Sequence, residues 1–288
     1  MRSEQEMLQL IREFVNRDER IRAAVLNGSR ANPNARKDPF QDFDVACLVS
    51  DVTPYIANPE IIRFFGETII VQEPESMGDP SPAKEGWYSY LMQFTDGNRI
   101  DLSFHPPERW AHVTGDSLTV VLVDKDDILG HVPPASETSY LPKPPTEKQF
   151  QDCCNEFWWV NPYAAKGLWR GELIYPKTML EEVLREQLMK MLTWYFGLRF
   201  DFQRPAGKLG KHFKAGLGEE IWREIQQTYA DADAEHTWQA LFAMNDLFRK
   251  LALQVAATFH FEYPQQDDER VSAYIRQIKN LSPGATEI

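Results

Sequence analysis

The segment Leu26-Asn27-Gly28-Ser29-Arg30 is followed about a dozen residues later by Asp42-Phe43-Asp44-Val45, and a third acid stands in Arg99-Ile100-Asp101-Leu102-Ser103. A Gly-Ser turn at a strand end offers backbone N–H groups and a hydroxyl to phosphate oxygens. The period of two of an extended chain puts the Asp42 and Asp44 carboxylates on one face and Phe43 and Val45 on the other. Two like charges so placed cost energy unless a cation offsets them. Mg²⁺ suits the position because it prefers hard oxygen ligands, needs one or two carboxylates and completes its octahedron with water and phosphate oxygens. Taken alone, an Asp-x-Asp is more often a solvated pair at a strand edge. Asp101 changes the weighing, because Ile100 and Leu102 point it to the face opposite the core. Three carboxylates on adjacent strands beside a Gly-Ser turn are what two-metal nucleotidyl transfer requires.

Strands must position these residues. Short runs rich in β-formers cover 21–26, 42–49, 67–72, 88–95, 99–104 and 118–124, and Asp96-Gly97-Asn98 marks an antiparallel hairpin between two of them. Met7, Ile11, Phe14 and Val15 recur at helical spacing, so an amphipathic helix opens the chain. Five prolines between residues 131 and 145 stiffen the path and set a boundary between domains at 1–135 and 146–288. Beyond it the period becomes helical. Phe150, Cys154, Phe157, Trp158 and Asn161 share a face up to Pro162, expected to kink the rod, and two further heptad-like runs follow at 180–195 and 241–255. The fold expected is α+β: a mixed β-sheet domain with flanking helices, then a C-terminal helical bundle.

The 288 residues carry 43 acidic against 31 basic side chains, a formal net charge of −12 that makes non-specific nucleic-acid binding a poor fit and favours a cationic partner. Cys47, Cys153 and Cys154 read as reduced thiols, and no signal-peptide core or membrane-spanning run is evident, so a soluble, cytoplasmic protein is expected; it is taken as a monomer, with no sequence feature that decides it. The six histidines show no metal-ligand spacing, and no Gly-x-Gly-x-x-Gly or Walker-type loop occurs.

Strand, Gly-Ser, Asp-x-Asp and a later strand Asp together resemble the nucleotidyltransferase superfamily of the DNA polymerase β type. Gly28-Ser29-Arg30-Ala31-Asn32, Phe40-Gln41-Asp42-Phe43-Asp44, Gly97-Asn98-Arg99-Ile100-Asp101-Leu102 and the run Asp152-Cys153-Cys154-Asn155-Glu156-Phe157-Trp158 narrow this to a resemblance to the aminoglycoside 6-adenylyltransferases. The resemblance implies transfer of AMP from ATP to the 6-hydroxyl of streptomycin, with Mg²⁺ as cofactor and release of pyrophosphate. Asp42, Asp44 and Asp101 would be the catalytic and metal-binding acids, with Gly28, Ser29 and Arg30 against the phosphates. Asp101 completes the metal site or acts as general base, and Glu156 is a competing base.

Streptomycin carries two guanidinium groups suited to bidentate carboxylate contacts. Asp152 and Glu156, one turn apart on the first helix of the second domain, and Glu181 and Glu182 on the next, are the candidate drug-facing wall. Lys166 and Arg170, spaced i, i+4, are candidates to reach triphosphate oxygens. A second basic loop, Lys208 to Lys214, carries His212-Phe213 where relatives tend to have Asn-Tyr and is given no role. Relatives also tend to carry an acid near the start of the second helix, where this chain has Tyr175-Pro176-Lys177-Thr178. Other acceptors, or a non-catalytic nucleotide-binding module of the same fold, stand as alternatives.

Overall fold

A computed structural model describes residues 1–78 and 86–287. The chain divides into two compact units, Met1–Ser139 and Tyr140–Ile288.

In the first unit α1 (Glu4–Arg17) begins at a capping box, with Ser3 accepting from the Glu6 amide and Glu6 accepting from the Ser3 amide. It buries Met7, Ile11, Phe14 and Val15, the face its periodicity marks out. The remaining elements are β1 (Ile21–Asn27), a single turn α2 (Gly28–Ala31), β2 (Phe43–Val49), α3 (Pro59–Phe65), β3 (Thr68–Gln72), β4 (Tyr88–Phe94), β5 (Arg99–His105), α4 (Trp110–Thr114) and β6 (Thr119–Asp124). The six strands form one mixed sheet in the order β3-β4-β5-β2-β1-β6, in which only β2 and β5 run parallel. Gly97, at φ +88°, makes the β4–β5 hairpin turn, as Asp-Gly-Asn foretells.

Alternation along β2 and β5 sorts the side chains. Phe43, Val45, Cys47, Ile100, Leu102 and Phe104 pack into a core with α1 and α3. Ala46 and Leu48 face the other way, with Ala23, Val25 and Val113. Asp44 and Asp101 share this second face, so two acids sit on the side with the smaller apolar cluster.

His105 closes the same face of β5. Its side chain is buried, its Nε2 lies 2.8 Å from Ser103 Oγ, and its Nδ1 has no partner. Burial, with Arg109 and His112 nearby, lowers its pKa from the ordinary 6.5 to about 4.

The second unit is helical: α5 (Glu147–Trp169), α6 (Ile174–Thr178), a π-helical stretch Met179–Leu184, α7 (Arg185–Arg199), α8 (Phe213–Gly216), α9 (Glu219–Gln227), α10 (Ala234–Phe259) and α11 (Gln265–Asn280). Helix α5 runs through Pro162 to Trp169 and is not ended by it. The helix survives a missing N–H because neighbouring turns bury the Phe157, Trp158, Ala164 and Ala165 side chains on both sides of the proline. Phe157 and Phe248 stack at 3.7 Å between ring centroids, joining α5 to α10. Asp268, whose side chain is 1% exposed, receives a fork from Arg249 Nε and Nη2, each at 2.5 Å, and a hydrogen bond from Tyr263 Oη at 2.7 Å. This pairing fixes α11 against α10 and satisfies a carboxylate that would be costly to bury alone.

The shift at His105 sets a pH dependence. Because its folded pKa lies below its unfolded one, the stability of the neutral imidazole is complete above about pH 6.5 and is lost as pH falls towards 4. Urea unfolding of the wild type between pH 7 and pH 4.5 should show a loss of about 2 kcal/mol that His105→Asn lacks. Equal pH slopes for the two proteins would show that His105 does not titrate in this way.

Candidate active site

The C-terminal end of β1 and the N-terminal ends of β2 and β5 meet at one end of the sheet. Asn27 pairs with Asp44 across β1 and β2, and Asp44 pairs with Asp101 across β2 and β5. The two acids are therefore side by side on adjacent strands. Asp42 precedes β2 and does not lie within it, since Phe43 is its first residue.

Gly28 explains why β1 turns here without covering the acids. Its φ is +70°, and a Cβ added to it would come within 2.3 Å of Asp44 Oδ2. Only glycine meets both conditions, the left-handed backbone and the close approach of a carboxylate. Ser29 follows, exposed, and its carbonyl accepts from Gln41 Nε2 at 3.3 Å.

Arg99 is the cation among these acids. Its Nε and Nη2 donate to the two oxygens of Asp101 at 2.7 Å each, and its Nε lies 3.7 Å from Asp42 Oδ2. Asp101, Asp42 and Asp44 all act to raise the guanidinium pKa, Asp101 first through its hydrogen bonds. Sequence reading quoted Arg99 inside a matching segment and gave it no role. Its signal was the same period of two that placed the acids, for Arg99 and Asp101 alternate with buried Ile100.

Among the described residues no three His, Cys, Asp or Glu side chains are gathered closely enough to hold a metal ion as they stand. The nearby acids are hard oxygen donors of the kind a divalent cation takes, and a guanidinium already stands as their positive partner. Holding an ion would require Asp101 to leave the fork that Arg99 makes.

Arg30 does not stand ready for phosphate. Its side chain is 9% exposed, its guanidinium carbon lies 3.8 Å from the centroid of the Phe43 ring, and its Nη2 donates to the Gln41 carbonyl at 2.7 Å. Burial lowers its pKa. Arg30 ties the Gly-Ser turn to the segment that delivers Asp42 through its stacking on Phe43 and its hydrogen bond to the Gln41 carbonyl.

In the second unit a groove of about 810 Å³ is lined by Asp152 and Glu156 of α5 and by Gln187, Lys190, Thr193 and Trp194 of α7. A neighbouring recess of about 490 Å³ shares Lys190, Thr193 and Trp194 and adds Glu186, Tyr140 and the loop Gly207–Gly210. Asp152 accepts from Lys148 at 2.7 Å, and Lys190 donates to Glu186 at 2.7 Å. Glu181 and Glu182 line neither space. Glu181 is taken by Arg185, at 3.0 Å, and Glu182 is exposed on the π-helical stretch.

Lys166 lies on α5 about 15 Å along the helix axis from Glu156, its Nζ 5.6 Å from the centroid of the Tyr274 ring, and Arg170 is exposed at the helix end. Neither lines the groove. Lys177, which stands where an acid was expected, donates to the carbonyls of Ala230 and Asp231 at 2.7 and 3.3 Å.

The streptomycin adenylyltransferase family model matches residues 1–278. Two similar proteins are aminoglycoside 6-adenylyltransferases: one from Bacillus subtilis, 36% identical over 96% of this chain and 98% of its own, and one from Campylobacter jejuni, 36% identical over 97% of each chain. A crystal structure of an aminoglycoside 6-adenyltransferase from Bacillus subtilis, 32% identical, covers 98% of this chain and 100% of its own with a TM-score of 0.48. No helix among the described residues is long and apolar enough to cross a membrane.

The Gly28 contact is testable against a matched control. Gly130 also has positive φ, +56°, but nothing lies within 4 Å of its would-be Cβ. Gly130→Ala should cost about 1 kcal/mol from backbone strain alone, and Gly28→Ala about 2 kcal/mol or more, read by urea unfolding. Equal losses would show that Asp44 moves aside freely.

Proposed function

The chain belongs to the streptomycin adenylyltransferase family, a family of nucleotidyltransferase enzymes, and on that premise we propose that it transfers AMP from ATP to the 6-hydroxyl of streptomycin, with Mg²⁺ and release of pyrophosphate. The observation that carries this reading is the register pairing of Asp44 with Asp101 beside the space that Gly28 leaves open. We take the protein to act as a cytoplasmic monomer.

Asp42, Asp44 and Asp101 would hold the cation. Bound there, Mg²⁺ supplies charge neutralisation on the triphosphate and fixes its orientation. The rest falls to the chain. Gly28 keeps the strand end clear, and the Ser29 hydroxyl is exposed for a phosphate oxygen. Lys166 and Arg170 are the proposed further positive charges for the nucleotide. Asp152 and Glu156 face the groove with the planar acceptors that a guanidinium fork requires. The acceptor hydroxyl attacks the α-phosphorus in line, the bond to the bridging oxygen breaks, and pyrophosphate leaves with its electron pair. Asp101 or Glu156 takes the hydroxyl proton.

A second reading, the same transfer to a different acceptor, is favoured by Lys177 in place of an acid and by Lys143 and Lys190 on the groove wall. Incubation with ATP, Mg²⁺ and a panel of acceptors, with mass analysis of products, separates the two.

Pyrophosphate release on adding ATP, Mg²⁺ and streptomycin is the expected result, and Asp42→Asn should lower it by about a thousandfold while circular dichroism stays unchanged. Near wild-type turnover in Asp42→Asn would remove that acid from the site. An absence of release with every acceptor would favour a binding module.

A further inference from the structure

Arg99 is placed unlike a residue that merely decorates a strand. It donates a fork to Asp101, with both N–O distances at 2.7 Å, and stands 3.7 Å from Asp42. Asp44 is paired in register with Asp101, and its Oδ2 is kept clear of any Gly28 side chain. The guanidinium thus holds Asp101, lies near Asp42 and feels the charge of Asp44, all acids proposed to bind the divalent cation. Its side chain is 38% exposed and Asp101 is 22% exposed, so the pair lies near solvent and is held by no enclosing wall.

We propose that Arg99 is a resident counter-cation of this cluster: it neutralises Asp101 and Asp42 while no divalent ion is present, and it gives up Asp101 when one binds. The inference rests on the reading of these acids as the metal site and adds the group that competes for it.

Magnitudes favour exchange. The Arg99–Asp101 pair owes its strength to the bidentate fork, and its partial exposure lets water screen it. A divalent cation with carboxylates and triphosphate oxygens about it brings twice the charge and several ligands at once. The fork therefore holds the acids together in the free protein and yields to the ion. The freed guanidinium then has a new anionic neighbour in the triphosphate, the oxyanion geometry its planar donors suit.

The test is Mn²⁺ binding to the full chain without nucleotide, followed by the electron paramagnetic resonance signal of the free ion. Wild type, Arg99→Gln, Arg99→Lys and Asp44→Asn are compared after circular dichroism has confirmed folding. Removing the competitor should tighten Mn²⁺ binding in Arg99→Gln by about fivefold. Arg99→Lys, which keeps the charge and loses the fork, should fall between, and it serves alone if Arg99→Gln does not fold. In the same samples Mn²⁺ should raise the melting temperature more in Arg99→Gln than in wild type.

Unchanged or weaker Mn²⁺ binding in both Arg99 variants, with Asp44→Asn still abolishing it, would overturn the counter-cation role and leave the metal reading standing. Saturable binding that Asp44→Asn does not diminish would sink the metal reading itself. An absence of saturable binding in wild type and Arg99 variants alike would remove both.

Discussion

Mutual repulsion among Asp42, Asp44 and Asp101 is the constraint that organises the N-terminal unit. Parallel pairing of β2 with β5 sets two of the carboxylates at the same level, where like charges are unfavourable without compensation. Each unusual neighbour answers that constraint. Gly28 carries no side chain where one would press on Asp44, and Arg99 forks Asp101. Arg30, packed on Phe43, fastens the Gly-Ser turn to Gln41 and so fixes the approach of Asp42. A sheet end that is poor as a hydrophobic surface becomes good at holding positive charge.

The helical unit solves a different problem, which is to keep acidic side chains exposed in a groove while burying a large aromatic core. Helix α5 does both on opposite faces: Phe150, Cys154, Phe157 and Trp158 are buried, while Asp152 and Glu156 line the groove. Lys148 holds Asp152 and Lys190 holds Glu186 of the neighbouring recess, so part of the negative charge here is already balanced by exposed, weak ion pairs.

Much of this was legible in the chain. Short runs of β-formers located the six strands to within a residue or two, and period-two alternation assigned Asp44 and Asp101 to the face away from the core of Phe43, Val45, Ile100 and Leu102, because burial on a sheet is decided by parity. The turn glycines Gly28 and Gly97 declared themselves by their neighbours. What periodicity could not show was competition between side chains. Arg30 reads as a phosphate ligand by its position after Gly-Ser, and the fold stacks it on Phe43 and pairs its Nη2 with the Gln41 carbonyl, while its buried Nε has no hydrogen-bond partner among the described residues. Glu181 and Glu182 read as acids on the second helix, but the Arg185 partner of Glu181 and the π-helical form of their segment leave no periodic signature. Pro162 reads as a kink, and packing on either side holds α5 continuous through it.

The closeness of Arg99 to Asp101 along one strand bears on how the molecule assembles. Asp44 and Asp101 are distant in the chain and meet only after β5 has docked beside β2, a contact of high loop-closure cost. Arg99 and Asp101, by contrast, are two residues apart on the same face of one extended segment. The strand that brings the second acid into the sheet thus arrives carrying its own neutralising partner, so β2 and β5 join without two bare carboxylates meeting.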